Sequence, residues 1–244
     1  VSAPLFLVES LPTDETATLD GPEGHHAATV QRLRAGEELL LADGRGGTAV
    51  AVVTAVGKGV LDLRITSRDY QAAPAHRLVV VQGLAKGERG ELAVQAMTEV
   101  GVDAIVPWTA GRSVAQWRGD RGARARGKWV ATAREAAKQA RRAWLPVVTG
   151  APAEATSEVA GRIAGAAAAF VLHEQAGERL VTAELPDRGE IVLVVGPEGG
   201  VAPAELAAFA EAGARTVRLG PSVLRTSTAG VAALSVLAAR LGRW

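Results

Sequence analysis

No cysteine occurs in this 244-residue sequence, which excludes a disulfide framework, thiolate metal sites and any mechanism that attacks its substrate through a thiolate. No apolar run approaches the ~20 residues that span a bilayer. The opening VSAPLFLVES lacks the basic and apolar regions of a signal peptide, so the expected address is the cytoplasm, with no membrane contact. Histidine is scarce: His25, His26, His76 and His173. Only the first two are close, and adjacent side chains diverge on a helix, so they are expected to pack in a core and no metal is expected. The usual nucleotide fingerprints are missing too, since no G-x-G-x-x-G follows a strand-like run and no G-K-[ST] completes a P-loop.

What remains is ample for a packed protein. Apolar residues make up 48% and charged residues 22%, a balance that supports a folded core and argues against global disorder. Net charge is only +1, but it is unevenly placed. From Arg112 to Arg142 there are ten Lys/Arg against Asp120 and Glu135, so this window carries +8 and the remainder −7. Such a block suggests an anionic partner meeting one face. Trp117 and Trp129 lie inside it, with two open readings: stacking on bases, or packing in a core or interface.

Two grammars divide the chain. Residues 1–70 are short apolar runs (LFLVE, EELLLAD, TAVAVVTAV, VLDLRIT) punctuated by DGRGG and GKG, with one helical piece from His25 to Leu33. This is a small β-barrel or sandwich. Residues 71–76 form a linker. From Arg77 to Trp244, strand-like runs alternate with helices expected at Glu88–Val100, Lys128–Ala143, Ala153–Ala166, Pro203–Ala212 and Ala229–Leu241. That alternation implies a parallel α/β sheet covered on both faces.

Ligands of parallel sheets bind beyond the carboxyl ends of strands. Three such ends carry a signal: His173-Glu174 after AAFVL, Gly196-Pro197-Glu198-Gly199-Gly200 after EIVLVV, and Leu219-Gly220-Pro221-Ser222 after ARTVR. Glycine there lets backbone approach a ligand. GPEG occurs twice, and the copy at Gly21–Gly24 follows no buried strand, so it reads as a turn. The last signal runs into Arg225, Thr226, Ser227 and Thr228, one cation and three hydroxyls at a helix start. Free N–H groups at such an end collect anions and polar ligands. A plain cap by Thr226 or Thr228 is the other reading.

LVVGPEGG followed by LGPSVLRTSTAGVAAL resembles the paired C-terminal motifs of the SPOUT methyltransferases. AKGERGELAVQAMTEVGVDAIVPW, REAAKQARRAWLPVV and VLHE, in that order, resemble the RsmE branch, and HHAATVQRLRAGEELLLADGRGG resembles its PUA-like barrel. The resemblance covers nearly the whole chain. It implies a trefoil-knotted, S-adenosylmethionine-binding domain behind an RNA-binding barrel, a homodimer, and methylation of N3 of one uridine in 16S rRNA or the small ribosomal subunit. The cofactor would be held by Leu172, His173 (through its backbone), Gly196, Pro197, Gly199, Gly200, Leu219, Gly220, Ser222, Leu224 and Thr226. RNA would meet Arg112, Arg118, Arg121, Arg124, Arg126, Lys128 and Arg142, the last matching the branch's Q-x-x-R arginine and open to a role in a neighbouring subunit's site. Arg225 would stabilise the oxygens of a uracil losing its N3 proton. Glu198 has two readings, a general base and a carboxylate capping the helix near Ala202. Ser227, Ala96 and Pro4 or Leu5 depart from the branch's acid, lysine and arginine, which touches substrate contacts. Alternatives are a SPOUT 2′-O-ribose methyltransferase and a non-catalytic RNA-binding or ribosome-assembly protein on the same scaffold.

Overall fold

The computed structural model describes residues 3–244. Two compact units emerge: one runs to Ala73 and also takes in Ala137–Leu145, the other comprises Pro74–Ala136 and Pro146–Trp244. The first unit thus recruits the end of the basic window, with Lys138, Arg141 and Arg142.

In the first unit, β1 (Leu5–Leu7), β2 (Thr16–Leu19), β3 (Glu38–Ala42), β4 (Gly47–Gly57) and β5 (Val60–Tyr70) form one sheet in the order β1-β3-β4-β5-β2. All neighbours are antiparallel except β1 and β3. Alternation along β4 sends Ala49, Ala51 and Val53 inward against Phe6, Leu39, Leu41, Leu61 and Leu63. Between β2 and β3, α1 (Gly21–His25) continues into a π-helical turn at His26–Val30, so the first GPEG copy opens a short helix. His26 is half-buried and packs edge-on to Phe6, whereas His25 is exposed, so core packing of both histidines is corrected.

The second unit holds β6 (His76–Gly83), α2 (Arg89–Glu99), β7 (Ala104–Trp108), α3 (Gly119–Gln139, its last turn in the first unit), β8 (Val147–Val148) and α4 (Thr156–Gly165). It continues with β9 (Ala168–Leu172), β10 (Glu178–Arg179), β11 (Gly189–Val195), α5 (Pro203–Glu211), β12 (Arg215–Arg218) and α6 (Thr226–Arg240). The linker is accordingly shorter than expected, because His76 already pairs with Gly189 in the sheet. The basic helix starts at Gly119 and stops at Gln139, earlier at both ends than the expected Lys128–Ala143.

The seven strands are all parallel, in the order β10-β12-β9-β11-β6-β7-β8. Strand alternation builds two cores. Leu78, Val80, Ile191, Leu193 and Phe170 face α2 and α6 through Val94, Met97, Leu234 and Leu237. Val79, Val81, Val192, Val194 and Val171 face α4 and α5 through Val159, Ile163 and Phe209. Both faces are covered, which is why these strands read as unbroken apolar runs. No described helix is long and apolar enough to cross a membrane.

Candidate active site

Parallel pairing puts the carboxyl ends of β12, β9, β11 and β6 side by side, and a cavity of about 470 Å³ opens there. That volume suits a small-molecule ligand. Its walls contain every residue expected to hold the cofactor: Leu172 and His173; Gly196, Pro197, Gly199 and Gly200; Leu219, Gly220, Ser222, Leu224 and Thr226. Glu198 and Arg225 line it as well. So do Arg89 and Arg218, which lie within quoted stretches but were not expected as site residues.

The Gly196–Gly200 loop is shaped by close approaches. A β-carbon on Gly83, at the end of β6, would stand 2.6 Å from the Pro197 nitrogen. Gly200 takes φ +72°, a left-handed conformation that favours glycine, and its N–H closes a turn onto the Pro197 carbonyl at 2.9 Å. Gly199 is glycine for a protein neighbour: a β-carbon there would meet Cβ and the carbonyl oxygen of Arg112, each at 2.9 Å. Gly220 has nothing within 4 Å of its missing β-carbon, so that position faces open space in the cavity wall.

Neither expectation for Glu198 fits its geometry. Its Oε1 accepts from the Lys86 N–H at 3.2 Å and from Arg89 Nη1 at 3.1 Å, tying the loop to the turn before α2. Burial pushes its carboxyl up, but its own backbone N–H, Arg89 and the Lys86 N–H together outweigh that and hold it below the usual carboxylate value. An ion-paired acid with a depressed pKa is a poor base. The cap of α5 is Glu205 instead, whose Oε2 accepts from the Ala202 N–H at 2.8 Å. Its Oε1 accepts from the Gly111 N–H at 2.7 Å, which fixes the segment carrying Arg112. Arg112 Nη1 in turn donates to the Gly199 carbonyl at 3.2 Å.

At the start of α6 the N-cap is Arg225, in extended conformation and without a side-chain cap, so the reading of Thr226 or Thr228 as cap is corrected. The Thr226 hydroxyl donates to the Gly196 carbonyl at 2.8 Å, and Thr228 Oγ1 donates back to the Arg225 carbonyl at 3.2 Å. His173 lines the cavity with its main chain already paired. Its backbone N–H donates to the Val217 carbonyl at 2.9 Å and its carbonyl accepts from the Ala176 N–H at 3.2 Å. Its main chain is therefore engaged within the protein. Its ring Nδ1 accepts from the Gln175 N–H at 3.2 Å.

Four arginines, Arg89, Arg112, Arg218 and Arg225, share the cavity wall with two acids, Glu174 and Glu198. Beyond the cavity, Arg118, Arg121, Arg124 and Lys128 are exposed on or beside α3. Arg126 must be removed from the set of free RNA contacts. It is half-buried and donates through Nη2 to the Val148 carbonyl at 2.6 Å and through Nε to the Thr149 carbonyl at 3.2 Å. Arg142, in the first unit, is half-buried and partnered. Trp129 is buried and meets the half-buried Trp117 edge-on at 4.8 Å, so the pair packs in and against the core.

Comparison with known proteins identifies the family. Residues 72–238 match the family model of the RNA methyltransferase domain, and residues 19–66 match that of the RNA methyltransferase PUA domain. The ribosomal RNA small subunit methyltransferase E of Mycobacterium tuberculosis is 47% identical over 99% of this chain and 94% of its own length. The crystal structure of a ribosomal RNA small subunit methyltransferase E from Neisseria gonorrhoeae, bound to S-adenosylmethionine, superposes with a TM-score of 0.85 at 26% identity, covering 98% of each chain. A methyltransferase of Legionella pneumophila in complex with the same cofactor reaches 0.86 at 27% identity, again over 98% of each chain. The expected architecture, a parallel α/β methyltransferase domain behind a PUA domain, is thereby shown. With models covering both of its parts and a relative matched end to end, this chain belongs to the RNA methyltransferase family, among the small-subunit methyltransferases E.

Proposed function

We propose that this protein transfers a methyl group from S-adenosylmethionine to N3 of a uridine in 16S rRNA. The observation that carries the reading is the cavity itself. Three adjacent strand ends converge on a space with apolar walls, Leu172, Val217, Leu219 and Ala229 among them, beside glycine loops, with Arg225 on its rim. Those residues fit a ligand with an adenine ring, a polar ribose and an amino-acid tail: apolar side chains for the ring, loop backbone for the polar groups. When bound, S-adenosylmethionine supplies an electrophilic methyl on a sulfonium that departs as a neutral thioether.

The protein's own task is to present N3 as a nucleophile. At neutral pH that nitrogen carries a proton, and its loss places negative charge on the flanking carbonyl oxygens. Arg225 is exposed at the cavity wall, and its side chain has no hydrogen bond or ion pair among the described residues. Its planar fork is free to donate to an oxygen as charge develops there. Arg89, Arg112 and Arg218 around the same rim favour the phosphates on either side of the target base. The displaced N3 proton leaves to solvent, since Glu198 is already engaged by Arg89.

The reading extends to a cytoplasmic homodimer whose C-terminal segments follow the knotted path of the SPOUT enzymes. The strand order supports such a path, because β11 inserts between β6 and β9, and β12 between β9 and β10. Light scattering at micromolar concentration tests the dimer, and a monomer sinks it. The activity is tested by incubating the protein with S-adenosylmethionine and 16S rRNA or small subunits, then analysing nucleosides by mass spectrometry. The expected product is 3-methyluridine. A 2′-O-methyl nucleoside, or no methylation, overturns the reading.

A further inference from the structure

Gln82 is the one polar side chain in the buried stretch Leu78–Gly83 of β6, and it is fully buried. Strand alternation places it with Leu78 and Val80 on the face covered by α2 and α6. Its Nε2 donates to Thr226 Oγ1 at 2.9 Å, and that hydroxyl donates to the Gly196 carbonyl at 2.8 Å. The direction of the relay follows from its end: a carbonyl only accepts, so the threonine proton points to Gly196 and the amide nitrogen must face the threonine. Three segments far apart in sequence are thereby joined: the end of β6, the first residue of α6, and the first residue of the Gly196–Gly200 loop.

As a stabilising device this is a poor choice. Gln82 Oε1 is buried with no hydrogen-bond partner, a loss that cancels much of what the donated bond contributes. A shape-matched apolar side chain would serve the sheet as well. A β-carbon on Gly230 would clash with Met97 Sδ at 2.6 Å but would lie only in ordinary contact with Gln82 Oε1, at 3.6 Å. What the amide uniquely does is set the register of α6 against the cofactor loop. Arg225 is the residue before Thr226, and its carbonyl already accepts the N–H groups of Thr228 and Ala229 at 3.0 and 2.9 Å. Wherever Thr226 is held, the main chain that carries the Arg225 side chain is held.

We propose that Gln82 is a positioning residue: through Thr226 it registers Arg225 against the Gly196 loop, so that base and methyl donor meet in line. The proposal rests on the reading of Arg225 as the group that stabilises the uracil oxygen. Displacement of a reacting geometry by about 1 Å costs on the order of 100-fold in rate. A residue acting this way should therefore alter turnover more than affinity.

The test uses the full-length protein with 16S rRNA and S-adenosylmethionine, both saturating, in single turnover. Gln82→Met, which keeps the volume and removes both the donor and the unpaired acceptor, should slow methyl transfer by about 10- to 100-fold. Its cofactor dissociation constant by calorimetry should stay within about threefold, and its melting temperature should not fall. Thr226→Val should be slowed comparably, Thr226→Ser should recover much of the loss, and the Gln82→Met/Thr226→Val pair should be no slower than the worse single variant. A wild-type rate for Gln82→Met, a loss that lies wholly in cofactor affinity or stability, or additive effects of the pair would overturn the proposal. Arg225→Ala run alongside separates the two ideas. If it is slow while Gln82→Met is normal, the positioning role alone fails; if it is itself normal, the reading of Arg225 fails and takes this proposal with it.

Discussion

Arg112 Nη1 donates to the Gly199 carbonyl at 3.2 Å, and a β-carbon on Gly199 would press on the Arg112 backbone at 2.9 Å. The close approach that glycine permits here is to the protein's own chain. Gly220 is the opposite case, open within 4 Å in the same cavity wall. Gly199→Ala should therefore lower the melting temperature together with cofactor affinity. Gly220→Val should weaken S-adenosylmethionine binding with the melting temperature of the free protein unchanged. Calorimetry and thermal melts on both variants check this, and equal thermal losses would contradict it.

Arg225→Ala should divide binding from chemistry. The main chain at Arg225 is held by the first turn of α6, so cofactor affinity should change little. Methyl transfer should drop by about 100- to 1000-fold, the usual cost of one positioned donor to a developing oxyanion. Arg225→Lys should rescue poorly, since an ammonium lacks the planar fork. If the arginine only anchors phosphate, Arg225→Ala will turn over normally at saturating RNA in a single-turnover assay.

The exposed Arg118, Arg121 and Arg124 should carry RNA affinity, whereas Arg126 should carry stability. Neutralising the first three should weaken RNA binding and flatten its salt dependence by up to about one unit of slope per lost phosphate contact. Arg126→Ala should leave that slope alone and cost about 2 kcal/mol of stability, because it frees the Val148 and Thr149 carbonyls. Salt titrations and denaturation curves together distinguish the two groups.

Glu198→Gln should reduce the rate by less than about tenfold, well short of the 100-fold or more expected when a general base is lost. The wild-type carboxyl sits below its usual pKa in the folded protein. Its contribution is therefore fully present above the ordinary carboxylate pKa and is lost only as pH falls through the depressed folded value. The pH–rate profile from neutral to alkaline should be the same in both proteins. A wild-type rate that rises with pH through one ionisation, and does not do so in the variant, would restore Glu198 as the base.

Much of this molecule was legible along the chain because its signals are local. Strand and helix runs announced the α/β domain, and glycine and proline after apolar strands marked the cavity wall at Gly196–Gly200 and Leu219–Ser222. Helix ends were less legible. Gly119, Gly122 and Gly127 make the start of α3 look like loop, yet a β-carbon at Gly122 would collide with Trp117 and Pro152 at 2.7 and 2.6 Å. That glycine serves close packing of a helix, not a turn.

By itself, then, the sequence determined where strands end, which loops are glycine-rich and where positive charge gathers, since each depends on neighbours within a few residues. Tertiary structure alone decided which polar groups are spoken for. Arg126 is taken by β8 and the threonine after it, Glu198 by Arg89, Thr226 by Gly196, and Glu205 by Gly111. Gln82 finds its partner 144 residues away. A lone glutamine in an apolar run carries no periodicity and belongs to no motif. Its meaning lies in a hydrogen bond that exists only once β6, the Gly196 loop and α6 have been brought together, because a donor and an acceptor interact over about 3 Å and not along the chain.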